Sequence, residues 1–326
     1  SSAIPSDYGN LYPLINNVES ETTPGAYIQY TYNLHNRFIA MAGLRIDHSS
    51  VYGTFVTPRF HVKWMPTDFI TLRLSAGKGY RSPHALAENN YLMASGRRLM
   101  IDSQLKQEAA WNYGASLNFL IPIGNKMLKI NTDYYYTHFL SQMLIDYDSN
   151  PQELHITNLN GKSFSHTFQI DASYPVFKGF ELTAAYRYNL VKATYGGKLM
   201  WKPLQSRYKG LLTLSYKTPL GVWQFDATAA LNGGGRMPEA YTLASGERSW
   251  AGSYKAYGQL SGQVTRYFRN FSLYIGGENL TNYKQKNPII GYQNPWANGF
   301  EPTMVYGPVE GAMAYVGIRL NLGKRQ

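Results

Sequence analysis

The 326 residues carry 31 basic and 20 acidic side chains, a formal charge of +11, yet only 16% are charged while 44% are hydrophobic. Zero cysteines exclude a disulfide framework, a thiol nucleophile and a thiolate metal site. No apolar run reaches the roughly 20 residues a membrane-spanning helix needs. The first residues also lack the basic-then-apolar pattern of an export signal, so any such signal has been removed or lies elsewhere. All-β folds remain, either water-soluble or membrane-spanning.

Alternation with period 2 predicts thirteen strands. In chain order they cover 24–34, 37–48, 55–65, 69–80, 107–120, 127–146, 153–175, 180–193, 205–217, 222–233, 252–267, 271–282 and 309–322. The third sets Val56, Phe60, Val62 and Trp64 against Thr57, Arg59, His61 and Lys63. The eighth sets Phe180, Leu182, Ala184, Tyr186, Tyr188 and Leu190 against Glu181, Thr183, Ala185, Arg187, Asn189 and Val191. The last sets Ala312, Ala314, Val316, Ile318 and Leu320 against Met313, Arg319 and Asn321. Such strands are long beside the ~5–6 residues usual in soluble sheets, and they suit a tilted strand that needs ~9–11 residues to cross hydrocarbon. A soluble β-sandwich or propeller is the alternative, and it calls for shorter strands and more uniform loops.

Connections alternate in length. Short turns fall at His35-Asn36, Thr67-Asp68, Ile123–Lys126, Phe177–Gly179, Pro219–Gly221 and Arg269-Asn270. Longer connections cover 49–54, 81–106, 147–152, 194–204, 234–251 and 283–308. Outer-membrane barrels have this asymmetry, with tight periplasmic turns and long extracellular loops. Aromatic residues near strand ends, among them Tyr30, Trp64, Tyr80, Trp111, Trp201 and Trp223, fit a girdle at the bilayer interfaces. An odd count matters, because strand directions must alternate all round a closed antiparallel barrel. Thirteen strands therefore predict a barrel portion: residues 1–23 form an extracellular segment, 24–322 the strands and loops, and 323–326 a tail. A miscount by one would instead give a self-contained porin.

Three motifs then resemble one family. Ala76-Gly77-Lys78-Gly79-Tyr80-Arg81-Ser82-Pro83 resembles the glycine, aromatic, arginine, small residue, proline signature of TonB-dependent outer-membrane receptors, at the start of a long loop. Gln107–Gly114 resembles the family's next strand, and Glu278-Asn279-Leu280-Thr281-Asn282-Tyr283 the element ending its penultimate strand. The 284–308 loop, with Lys284-Gln285-Lys286-Asn287-Pro288, is similar in style to Bacteroidetes-type siderophore or colicin receptors. The resemblance implies an all-β, antiparallel transmembrane barrel of about 22 strands with an N-terminal plug inside it. This chain would supply roughly the last thirteen strands, with the plug and its TonB-contacting segment absent from it. It ends on Leu322-Gly323-Lys324-Arg325-Gln326, a departure from the terminal aromatic common in such barrels.

Alternation places Arg45, Arg59, Arg73, Arg187 and Arg319 on the lumen face, where the resemblance implies a plug, along with Arg37, Lys63, Arg207 and Lys209. Acidic residues are fewer there: Asp47, Asp133, Asp171, Glu181 and Asp226. A positive interior attracts anions or pairs with carboxylates of a plug; otherwise it is a solvated lining. The ligand-contact candidates lie in the outer loops: His84, Asn89, Tyr91, Met93, Arg97 and Arg98 in one, Met237 and Tyr241 in another, Tyr292 and Trp296 in the last. Aromatic and arginine side chains can clasp a flat anionic chelate by stacking and charge pairing; they also simply pack folded loops. His84 with Met93 and Met100 offers soft ligands for haem iron or copper.

No H-E-x-x-H or G-x-S-x-G is present, and Gly161-Lys162-Ser163 lacks the earlier glycine of a phosphate loop, having Ile156 there. Asn279-Leu280-Thr281 fits a glycosylation sequon but lies inside the family element and reads structurally. Basic residues are dispersed over many strands, against a nucleic-acid partner. The resemblance therefore implies active import across the bacterial outer membrane of a scarce solute, a ferric siderophore or similar metal chelate, with no catalysis and no cofactor. Its partners would be the N-terminal portion of the same receptor, the TonB complex through the plug, and outer-membrane lipid. Alternatives are a haem or cobalamin receptor, glycan import under a lipoprotein lid, a passive porin, and an outer-membrane barrel enzyme.

Overall fold

The computed structural model describes residues 20–242, 246, 248–296 and 299–321. Nineteen strands and two single-turn helical pieces make up its regular structure. The first four strands are β1 (Gly25–Leu34), β2 (Phe38–Ser49), β3 (Gly53–Thr67) and β4 (Ile70–Arg81). A short helix, Ala85–Asn89, precedes β5 (Arg98–Ile101), β6 (Glu108–Ile123) and β7 (Lys126–Ser141). Next come β8 (Met143–Asp146), β9 (Glu153–Asn158), β10 (Ser163–Phe177) and β11 (Phe180–Tyr195). β12 (Lys198–Trp201), β13 (Tyr208–Lys217), β14 (Trp223–Asn232) and β15 (Gly235–Arg236) follow. Last are β16 (Ser253–Tyr254), β17 (Tyr257–Tyr267), β18 (Phe271–Glu278) and β19 (Met313–Leu320).

Thirteen of these form one antiparallel wall in the order β1-β2-β3-β4-β6-β7-β10-β11-β13-β14-β17-β18-β19, with β12 attached to β11. Each wall strand hydrogen-bonds the next wall strand along the chain, the pattern of an up-and-down barrel. Among the described residues β1 and β19 each pair on one side only, so the sheet they form is open between them. Bare edges present unpaired N–H and C=O groups, and closure by further strands removes them.

Turn chemistry explains the tight side. His35 and Asn36 both have positive φ, at 50° and 58°, the backbone shape whose twist matches a two-residue hairpin. Asn33 supports it by accepting the Asn36 N–H at 2.9 Å. Gly179 joins β10 to β11 at φ 85°, and a Cβ there would fall 2.1 Å from the Lys217 carbonyl oxygen, so only glycine fits.

Cross-strand register fixes the two faces. Lys63, Arg73, Ser116, Asp133, Gln169, Arg187, Lys209 and Asn232 stand opposite one another in succession, a polar rung crossing eight strands. One residue over, Val62, Leu74, Ala115, Tyr134, Phe168, Tyr188 and Tyr208 form the corresponding rung of the other face. On that face β19 leaves Val316 79% and Ile318 58% exposed. Apolar surface on this scale is foreign to water-soluble monomers and native to a lipid-facing wall. The main hydrophobic core lies among the loops instead of under the sheet.

The thirteen expected strands correspond to the thirteen wall strands, with corrections at their ends. The expected strand 127–146 breaks after Ser141, and 153–175 breaks between Asn158 and Ser163; the outer pieces become β8 and β9. There β9 pairs antiparallel with β8 and parallel with β5, a separate sheet above the wall. The connection expected to be long at 49–54 is a tight turn between Ser49 and Gly53. β19 begins at Met313, later than 309, because Asn282 Oδ1 accepts the Ala312 N–H at 3.1 Å and holds the preceding segment as loop. The expected extracellular segment 1–23 lies outside the described residues except for 20–23, and the tail 323–326 lies wholly outside them.

Candidate functional site: the loop cap and the polar face beneath it

The long connections, 82–107, 142–162, 196–207, 233–256 and 279–312, all leave the same end of the wall. Leu92, Leu99, Tyr147, Leu154, Met237 and Trp250 pack into one core drawn from three of them, with Met304 from a fourth completing it and Leu204 of the remaining loop packed against it. At its centre Arg97 Nε lies 2.9 Å from Glu301 Oε2, the side chains 1% and 0% exposed. Glu301 also accepts the Ser95 hydroxyl at 2.8 Å, the Thr303 N–H at 2.9 Å and the Thr303 hydroxyl at 2.6 Å. Arg97 donates to the Tyr147 carbonyl at 3.2 Å and lies over the rings of Tyr241 and Trp250, 5.6 and 5.4 Å from their centroids. Its Nε meets Glu301 off the hydrogen-bond line and Nη2 has no acceptor, so the pair is held by charge and packing more than by a bidentate fork.

The ten loop residues singled out from the sequence divide by exposure. Asn89 is buried and donates to the Ala85 carbonyl at 2.9 Å. Arg97 and Met237 belong to the loop core. Tyr241 is half-buried, stacked edge-on to Trp250, and donates to the Gly299 carbonyl at 3.2 Å. Asn89, Arg97 and Met237 are thus buried within the cap, Asn89 at the lining of the cavity beneath it. His84, Tyr91, Met93, Arg98, Tyr292 and Trp296 are exposed, Tyr292 at 66% and Trp296 at 95%. Arg98 pairs with Glu153, whose carboxylate also meets His155 Nε2 at 2.7 Å. The His155 and Arg98 hydrogen bonds pull the Glu153 carboxyl down to about 2. Among the described residues no three of His, Asp and Glu gather into a metal-holding group.

Below the cap, Arg45, Arg59, Arg73, Arg187 and Arg319 all stand on the polar face of the wall, by register with Thr57, Gly43, Ser116, Gln169 and Ser272. Arg45 pairs with Asp47 at 2.6 Å, and Arg187 bonds Gln169 at 2.8 Å. A hydrogen-bonded chain runs from Arg73 through Asn118, Asn131 and Asp171. Charged side chains on a wet lumen face cost little, whereas the same groups in lipid are expensive.

Where the polar face meets the cap, the loops roof a cavity of about 680 Å³. Arg81, the arginine of the glycine-aromatic-arginine motif, lines it and binds Glu108 through Nε and Glu88 at 3.1 Å. The motif thus tethers strand β4 to β6 and to the first loop. Asn279 does the same work at the other end: at φ 50° its amide donates to the carbonyls of Tyr283 at 2.8 Å and Glu310 at 3.1 Å. Sequence reasoning missed Glu108, Tyr147, Lys202 and Glu301 as members of this region. Glu108 alone carried a signal, since it lies in the Gln107–Gly114 motif.

A TonB-dependent receptor-like β-barrel family model matches residues 1–280. No curated protein matches the sequence. Among solved structures, the ferric enterobactin receptor of Pseudomonas aeruginosa is similar at 15% identity and TM-score 0.67, over 91% of this chain and 44% of that one. The FrpB iron transporter of Neisseria meningitidis is similar at 15% identity and TM-score 0.61, over 91% and 44%. The copper transporter OprC is similar at 16% identity and TM-score 0.67, over 91% and 47%. The chain therefore spans less than half the length of each of these structures.

Proposed function

As this chain belongs to the TonB-dependent receptor β-barrel family of the Gram-negative outer membrane, we propose that it builds part of the wall and outer loops of a receptor that actively imports a ferric siderophore or similar metal chelate. One observation supports this most: a continuous polar, arginine-bearing face roofed at one end by loops that fold into a single body. A passive pore has no need of such a roof, while a capturing receptor needs a shaped outer surface above its lumen. Exposed Tyr91, Tyr292, Trp296 and Arg98 supply stacking and charge for an anionic chelate. The polar face then receives a plug, and the open edges β1 and β19 receive the remaining strands of the same receptor. The TonB complex supplies the energy through the plug. The residues described here position and bind; none is asked to catalyse.

Uptake of radiolabelled ferric siderophore by iron-starved cells tests this. Deleting the gene, or depleting TonB, abolishes saturable uptake on this reading. Uptake that survives TonB depletion yet disappears with the gene would make the protein a passive pore. Uptake indifferent to both would remove ferric chelates as the substrate.

A further inference from the structure

The roofed cavity holds two cations, Arg81 and Lys202, and two carboxylates, Glu88 and Glu108. Their bonds are unevenly shared. Arg81 is committed to both carboxylates, and Glu108 additionally accepts the Met143 N–H at 3.0 Å. Lys202 is different: among the described residues its ammonium has no carboxylate within 4.0 Å and no hydrogen-bond acceptor. Its backbone is fixed, because β12 pairs with the end of β11 immediately before it and its own N–H donates to the Val191 carbonyl at 2.9 Å. Solvent still reaches the side chain, while the surrounding protein desolvates it and holds its ammonium below the usual lysine range. A cation on a fixed backbone, with no ionic partner among the described residues and inside a cavity of the size that takes small ligands at ~300–1,000 Å³, is poised for an anion from outside.

We infer that Lys202 anchors a subsite for the oxyanion of an incoming ligand, a carboxylate or a group of like charge and geometry, at the junction of the loop cap and the lumen. The neighbouring wall fits the remainder of such a ligand. Asn189 accepts from Thr167 at 3.3 Å through its oxygen, which leaves its amide free to donate, and Ser165 adds a hydroxyl. Tyr147 and Tyr195 also line the cavity. The subsite deepens the import reading and rests on it for its biological purpose, though the binding event itself does not depend on import.

Citrate is the probe. Lysines of the intact receptor in mild detergent are reductively methylated with isotope-labelled carbon, which keeps their charge, and Lys202→Arg identifies the Lys202 resonance by its loss. Citrate shifts that resonance, and sucrose at equal concentration leaves it in place. Lys202→Gln weakens citrate binding roughly tenfold, the loss of one charge-assisted hydrogen bond; Lys202→Arg restores it; Lys209→Gln, lower on the wall, changes nothing. All variants are compared after their heat-dependent gel mobility shows a folded barrel. An unmoved Lys202 resonance, an equal shift with sucrose, or unchanged citrate affinity in Lys202→Gln overturns the subsite. Siderophore uptake is scored separately: uptake with no citrate response sinks Lys202 alone, and a citrate response without uptake sinks the import reading alone.

Discussion

Replacing Arg97 by methionine isolates what the buried ion pair does for the loop cap. The substitution keeps the apolar stem against Tyr241 and Trp250 and removes the charge that Glu301 faces at 2.9 Å. Stranding one member of a fully buried pair costs about 3–5 kcal/mol. Glu301 keeps its three bonds from Ser95 and Thr303, so the loss falls near about 3 kcal/mol, a factor of roughly 150 in the local opening equilibrium. Hydrogen exchange by mass spectrometry reads it. The Gly96 N–H, bonded to the Phe300 carbonyl at 2.8 Å, and the reciprocal Ile290–Glu301 bonds at 3.0 and 2.9 Å lose about two orders of magnitude of protection, while wall peptides from β11 keep theirs. Removing the second charge as well, with Glu301→Gln, recovers part of the loss, because no buried charge is then left unpaired. Unchanged exchange in the single variant would refute the claim that this pair ties the loops together. Equal loosening of cap and wall would refute the claim that the cap is a body of its own.

Three further outcomes follow from the same geometry. Leu212→Arg, on the lipid-facing side of β13, destabilises the folded protein in liposomes by about 2–4 kcal/mol, whereas Thr213→Arg, on the polar side, is near neutral in the same denaturant titration; equal effects would mean the faces are misassigned. Asn279→Ala forfeits two donated bonds and forces alanine to φ 50°, together about 2–4 kcal/mol, seen as protease cleavage within 280–312 at temperatures the parent resists. Glu153 titrates at about 2 in the folded cap, below its ordinary value, so its contribution is complete above the ordinary carboxylate range and is lost as pH falls toward that value. Amide protection in β5 and β9 declines over that acid window; pH-independent protection would remove the Arg98–Glu153–His155 cluster from the account.

The wall was legible because each of its strands alternates between two solvents, lumen water and lipid, which writes period 2 directly into Arg187 beside Tyr186 and Tyr188. Where strands leave the wall the alternation continues without marking the departure. Nothing local announces that Ser141 ends β7 or that Glu153–Asn158 will pair in parallel with Arg98–Ile101, since that partner lies a loop away. The site was harder for the same reason. Arg97 and Arg98 are adjacent and chemically alike, yet one is buried against Glu301 from the last long loop and the other faces out to Glu153. Lys202 carried no sequence signal, because its distinction, no carboxylate within salt-bridge reach among the described residues, exists only once the loops have assembled.

The absence of cysteine makes the central claim, a wall crossing the outer membrane with its long loops outside, open to single-site labelling. Trp296→Cys lies in the last long loop, 95% exposed, and Asn270→Cys in the tight turn between β17 and β18 at the other end of the wall. With a membrane-impermeant maleimide on intact cells, Trp296→Cys is labelled and Asn270→Cys is labelled only after the outer membrane is opened. Labelling of Asn270→Cys in intact cells with Trp296→Cys protected would invert the topology and contradict the account.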